Sequence, residues 1–522
     1  MSENDHLDAV LQYHSGTKHS YQSLRMHPHT LDWGNKPLLF KIYPTLEVTR
    51  LPRDFHDNGR AALAAIADLP APAQAETIPD FETLAQLLFF SAGVVRSKKH
   101  EQGETFFRAA ACTGALYEIE LYVVCTDLPG RAVPGVKNPP GLAAGVYHFG
   151  AAEFGLRQLR SGDLRQTLVD ATGSNASVVH APVTIICTGT YWRNAWKYHS
   201  RTYRHFGWDN GTILANLLAM SAASNLPARV VTGFVDSQVN ELLGLDTQRE
   251  VAFSLIPIGH TQATPPSSPQ IAPLELPIVP YSAEEVEYPA MRKMHDASSL
   301  DSAEEVAAWR GKTPSHEFPA PKGTITPLQP LDNSRIAPDS IEQVISRRGS
   351  TRKFARDPMT LPQLSIMLDR ATRGIPADFL DPLGSHLNDL YLIVNNVLGL
   401  TPGAYAYDWE RKQLELLKSG DFREKAGYLG LEQQLPADAA VDVFFLADLK
   451  SILQRYGNRG YRTVQLEAGI LGGKLYLGAY AQRLGATGLT FYDDDVVSFF
   501  SPHARGKSAI FLVALGRSAA RK

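Results

Sequence analysis

WKYHSRTYRHFGWDNG at residues 196–211 returns as QRYGNRGYRTVQLEAG at residues 454–469, and the organisation of the chain follows from that repetition. Tyr198 and Tyr456 stand 258 positions apart, and the same shift carries Arg201 to Arg459, Tyr203 to Tyr461, Arg204 to Arg462 and Gly211 to Gly469. Upstream it carries Ser161-Gly162-Asp163 and Arg165 to Ser419-Gly420-Asp421 and Arg423, and Gly145 and Tyr147 to Gly403 and Tyr405. A register kept over roughly a hundred residues, turn residues included, marks a duplication whose unit is far longer than a solenoid repeat. Each copy is therefore a whole domain.

Tyr13-His14-x-x-Thr17 opens the first copy and Met294-His295-x-x-Ser298 the second. Between them HTQATPPSSPQIAPLELPIVPYS, residues 260–282, is rich in Pro and Ser, which favours extended chain over helix. The expected organisation is a first domain over 1–259, a linker over 260–290 and a second domain over 291–522. Each copy reads as a leading helix, a strand, a helix, a strand, a long helix and a final strand. Periodic apolar residues predict helices at LPQLSIMLDRATRG (361–374), ILANLLAMSAASNL (213–226) and LGGKLYLGAYAQRL (471–484). The strand-like runs LYVVC, VTIIC and FSLIPIG recur as LYLIV, VDVFF and IFLVALG. The expected class is α+β, with helices on a mixed or antiparallel sheet.

The 522 residues are 44% apolar and 20% charged, with 51 basic against 54 acidic side chains and a net charge of −3. No global field recruits nucleic acid or an acidic membrane, so neither is an expected partner. Cys112, Cys125 and Cys187 fall in apolar runs without a CxxC, which predicts buried thiols rather than disulfides or zinc. The opening MSENDHLDAV is polar and no apolar run approaches the ~20 residues of a membrane span, so a reducing cytoplasm is the expected home. His27-Pro28-His29 lacks a third ligand, and Asp493-Asp494-Asp495, aligned with Val235-Asp236-Ser237, reads as a helix cap, so no metal is expected.

SRRGSTRKF at 346–354 precedes a helix, and Arg348, Ser350 and Arg352 offer two guanidinium groups and a hydroxyl that suit a phosphate dianion. A solvated basic helix start is the competing reading. Together with LPQLSIMLDRAT this segment resembles the opening of the nitroreductase family of FMN-dependent oxidoreductases. FRAAACTGALYEIELYVV (107–124), KYHSRTYR followed by DNG, and GVYHF (145–149) are similar to its SagB-type, azoline-oxidising dehydrogenase branch. The resemblance implies two tandem nitroreductase-like domains that form an intramolecular pseudo-dimer with FMN between them. It implies phosphate contacts from Arg348, Ser350 and Arg352, joined by Arg517 after the last strand. It lays Arg108, Cys112 and Gly114 along the isoalloxazine ring, with Cys112 where relatives carry serine. It aims the backbone of Thr232-Gly233 at flavin N5, and the aligned Thr490-Phe491-Tyr492 lacks the glycine.

Lys197-Tyr198 resembles the proton-abstracting dyad of azoline dehydrogenases, whereas the second copy carries Arg455-Tyr456. A lysine serves as base only when its amine is neutral, so its pKa must fall about three units from ~10.4, through burial or through Arg201 and Arg204. Arginine cannot lose its proton, so the dyad works in the first copy alone. The competing reading is a packing pair at a helix end. Arg201, Arg204, Arg459 and Arg462 are expected to be structural, paired with Asp209 and Glu467 or their neighbours, and His14 and His295 structural as well. The expected function is hydride transfer between flavin N5 and a small or peptide-derived substrate, by azoline or C–N bond oxidation. The alternatives are NAD(P)H-dependent reduction of nitro or quinone compounds and, in another class, a non-catalytic flavin- or peptide-binding scaffold.

Overall fold

The computed structural model describes residues 3–519 apart from 27–28, 70–74, 101–102, 133–136, 138, 268–269, 316–317, 333–334 and 336–337. Each copy is built on an antiparallel sheet. In the first, five strands run in the order Gly155–Ser161, Gly145–Gly150, Ile119–Cys125, Val183–Thr190, Glu250–Ile258, with Thr49–Arg50 beyond the first of them. The second repeats the five as Gln413–Ser419, Gly403–Asp408, Asp389–Val394, Val441–Ala447, Ser508–Gly516, flanked by Ile325–Pro327 and Gly485–Leu489. The central strands are buried along nearly their whole length, as continuous apolar runs require, and the predicted strand runs lie within them except for Gly259, which follows the last strand of the first copy. Each sheet therefore has cover on both faces.

The helix expected around 213–226 extends back to give Thr202–Ala223, and its counterpart is Arg459–Ala481. The two long helices cross in the middle of the molecule, each lying on its own sheet and on the other helix, which is why nearly every residue of both is buried. Gly211 and Gly469 sit at the crossing. A Cβ on Gly211 would stand 2.5 Å from the Gly469 backbone, and one on Gly469 2.5 Å from the Trp208 carbonyl. Absence of side chains at these two aligned positions is what lets the backbones meet. Trp208 fastens the contact by donating its Nε1–H to Gln465 Oε1 at 2.7 Å.

The repeated arginines are structural, but their acidic partners are not Asp209 and Glu467. Arg201 and Arg204 reach across to Asp493 of the second copy at 3.1 and 2.6 Å, while Arg459 and Arg462 reach back to Asp236 of the first at 2.5 and 2.6 Å. Asp236 and Asp493 are each the first residue of a helix, Asp236–Leu243 and Asp493–Phe500. The repeat thus slips from 258 to 257 positions before these helices, so Asp493 answers to Asp236 and is an ion-pair partner as well as a helix start. The opening helices complete each cluster: Arg204 donates to Thr17 Oγ1 and the His14 carbonyl, and Arg462 to Ser298 Oγ and the His295 carbonyl. His14 contacts Tyr461 and His295 contacts Tyr203, so the repeated arginines and histidines all reach across between the copies. Among the described residues no helix is long and apolar enough to cross a membrane.

Candidate functional site

Lys197 and Tyr198 end the helix Tyr191–Tyr198, where His199 takes a φ of 50° and a 3-10 turn swings the chain into the first long helix. Trp196 fixes this corner by donating its indole N–H to the Asp32 carbonyl at 2.9 Å. Gly114, at φ 64°, lies so close that a Cβ there would stand 2.9 Å from Tyr198 Oη, so a left-handed turn without a side chain brings the 112–114 loop against the phenol. Asp209 on the long helix holds that loop by accepting from Thr113 N at 2.8 and 2.9 Å and from Thr113 Oγ1 at 2.9 Å. Tyr198 Oη has no hydrogen-bond partner among the described residues, and burial raises its pKa, with Asp209 and Cys112 adding to the effect. The phenol therefore remains a proton donor.

The Lys197 ammonium makes no ion pair among the described residues. Burial, then Arg352 and Lys36, hold its pKa below the usual lysine range. Arg201 and Arg204, expected to exert this influence, are instead turned into the Asp493 cluster. Arg352 arrives from the second copy, is exposed, and has no carboxylate partner among the described residues. The charge that acts on Lys197 thus comes from both copies.

Of the phosphate-binding residues expected from sequence, only some remain available. Arg348 is buried and donates to the Arg108 and Ala109 carbonyls, both at 2.9 Å, so it ties the copies together. Arg517 lies at the surface, 3.6 Å from Asp357. Ser350 Oγ is 3.4 Å from Tyr476 Oη, which accepts from Gly488 N at 2.5 Å. Beyond Gly488, Thr490 Oγ1 is buried without a hydrogen-bond partner. Arg108 is also committed: it donates to the Leu39 carbonyl at 3.1 Å and lies over the Phe40 and Tyr117 rings.

Thr232 and Gly233 do not join this cluster. Asp378 takes the Thr232 N–H at 3.0 Å and the Gly233 N–H at 2.8 Å, and Trp309 packs on Gly233. They belong to the opposite cleft, beside Tyr456.

The cysteine expectation holds for Cys125 and Cys187, buried thiols pushed up to about 12, and fails at Cys112. Cys112 Sγ stands 3.4 Å from Glu118 and 3.3 Å from Asp209, and the three groups could geometrically hold a cation. Asp209 has its pKa raised by burial and by Glu118, which fits two carboxyl groups sharing a proton. Neither Glu118 nor the bond from Asp209 to Thr113 was legible in advance, because both depend on the loop folding onto the helix. Of the two histidines proposed as weak ligands, His27 lies outside the described residues and His29 pairs with His199 at 2.9 Å. A separate cavity of about 490 Å³, lined by Asp389, Asp408, Glu415 and His503 among others, includes none of the residues expected to act.

The nitroreductase family profile matches residues 74–260 and again 345–517. A protein of Methanocaldococcus jannaschii named as a nitroreductase is 28% identical over 166 residues, which cover 30% of this chain and 81% of that protein. A solved nitroreductase-type structure from Anabaena variabilis superposes with a TM-score of 0.75 at 24% identity, covering 98% of this chain and 99% of that one. That likeness is one of fold.

Proposed function

Because the chain belongs to the nitroreductase family, we propose that it is an FMN-dependent oxidoreductase whose flavin lies between the copies, beside Lys197 and Tyr198. On this reading the domains over 1–259 and 291–522 act as an intramolecular pseudo-dimer, each supplying one wall. One observation carries the proposal: the half-buried Lys197, beside the Cys112–Gly114 loop and without an ion pair among the described residues, has its pKa lowered by burial and then by Arg352 of the second copy and Lys36 of the first. Cations of one sign gathered around a half-buried lysine disfavour its charged form, and an anionic ligand would relieve that cost.

The residues present fit a flavin phosphate in part. Arg352 and Ser350 are free to take it, while Arg348 shapes the wall rather than binding. The orphaned Thr490 hydroxyl suits a polar ring edge, since a buried donor without a partner is rare. When bound, FMN supplies the two-electron carrier that accepts or gives a hydride.

The chain supplies the proton chemistry. Lys197, with its ammonium destabilised, accepts a proton from the carbon being oxidised, and the Tyr198 hydroxyl donates a hydrogen bond to the adjacent heteroatom. This favours dehydrogenation of a small or peptide-derived C–N bond, in the manner of the SagB-type branch. Purified protein is expected to carry FMN, and Lys197→Ala to keep the flavin while losing substrate dehydrogenation. Full turnover by Lys197→Ala, or rapid flavin bleaching by NADPH with no oxidase activity, would replace this reading with the nitro or quinone reductase.

A further inference from the structure

A duplicated chain presents two clefts related by the repeat, and their contents differ. The bonds at the start of the repeat set the correspondence: Ala62 N donates to the Asp339 carbonyl at 3.0 Å, and Ile341 N to the Arg60 carbonyl at 3.0 Å. Arg60 therefore answers to Asp339, and Arg347-Arg348 answers to Asp68-Leu69. Where the second copy has two arginines the first has an acid and an apolar residue, so these described positions carry no cation.

The dyad is altered in the same way. Tyr198 Oη is free, but Tyr456 Oη donates to the Phe379 carbonyl at 2.8 Å. Lys197 has no ion pair, but Arg455 Nε donates to the Lys312 carbonyl at 3.1 Å, and its guanidinium covers the Tyr456 ring.

The wall of the second cleft is sealed. Val230 N donates to the Pro376 carbonyl at 2.8 Å and Asp378 N to the Val230 carbonyl at 3.0 Å, so the second copy's loop pairs with the first copy's chain. Arg229 adds a bond to the Ala377 carbonyl at 2.6 Å. The Thr232 and Gly233 amides both end on the Asp378 carboxylate, and the Trp309 ring lies 3.0 Å from where a Gly233 Cβ would be. At the aligned position of the first cleft the Thr490 hydroxyl is buried with no partner.

We infer that the chain holds a single flavin, and that its second cleft has become a clasp between the copies in which Asp378 occupies the donors a ligand would otherwise engage. The inference rests on the flavin reading given above and fixes its stoichiometry. It also explains why the copies diverged at Lys197 and Arg455: a closed cleft needs no base, and arginine serves better as a lid over Tyr456.

The test is titration of flavin-stripped full-length protein with FMN, followed by quenching of flavin fluorescence, together with the Arg352→Glu and Asp378→Asn variants. One FMN per chain is expected, with affinity lowered at least tenfold in Arg352→Glu. Asp378→Asn should keep one flavin and wild-type turnover but melt at lower temperature. Two flavins per chain, or loss of flavin from folded Asp378→Asn, overturns the inference while leaving the enzyme class intact. No flavin at all overturns the proposed function and this inference with it.

Discussion

Replacing Asp236 with Asn tests the exchange of ion pairs between the copies. The Asp236 carboxylate is met by Arg459 at 2.5 Å and Arg462 at 2.6 Å, and both arginines are fully buried. The two guanidinium groups hold its pKa at about 2 against burial, compared with 3.8 for a free side chain. At ~1.4 kcal/mol per pKa unit this difference is worth about 2 kcal/mol at neutral pH. Because the folded pKa is the depressed one, that stability is complete above pH ~4 and is lost as the pH falls toward 2. The substitution should cost more than this, roughly 3–5 kcal/mol, because it leaves two cations buried without an anion. Urea unfolding followed by tryptophan fluorescence, at pH 7 and at acid pH, measures both effects. The gap between wild type and Asp236→Asn should be large at pH 7 and shrink in acid, where the wild-type carboxyl is itself neutral. A gap below about 1 kcal/mol at pH 7, or one that does not change with pH, would refute the assignment of Asp236 as the anchor.

Substrate oxidation should rise with pH through a pKa below that of free lysine, because the neutral Lys197 amine is the active form. Lys197→Arg should remove that limb and slow turnover by about 10²–10⁴-fold at unchanged flavin content, as steady-state pH profiles would show. Gly211→Val should destabilise the helix crossing by roughly 1–3 kcal/mol or more, since the Gly469 backbone cannot give way; Gly16→Ala, with nothing within 4 Å, serves as the neutral control in thermal melts. Cys112, partly exposed but with its thiol pKa raised by burial and by Asp209 and Glu118, should alkylate slowly at neutral pH and faster in alkali, while Cys125 and Cys187 resist. Peptide mass spectrometry after iodoacetamide treatment resolves the three sites.

The repeat itself was plain in the sequence, because turn glycines, strand runs and paired arginines cannot drift without loss of local structure. Arg201 and Arg459 were legible as structural for that reason. Their partners were not, because Asp236 and Asp493 lie in the opposite copies from the arginines they hold, and a one-residue slip hides their equivalence from alignment. At the site, Lys197 and Arg352 were each identifiable as unusual, but that Arg352 acts on Lys197 depends on how the two copies pack. The partners of Arg348 and Thr232 were hidden for the same reason: carbonyl groups and a carboxylate that meet them come from the other copy.

The sequence by itself determined that two α+β domains share one plan, where their strands and long helices fall, and that only the first copy keeps a lysine before its tyrosine. Tertiary structure decided which groups the two copies present to one another. Periodicity and turn chemistry act within a few residues of the chain, whereas the capture of the Thr232 and Gly233 amides by Asp378 depends on how two distant segments pack.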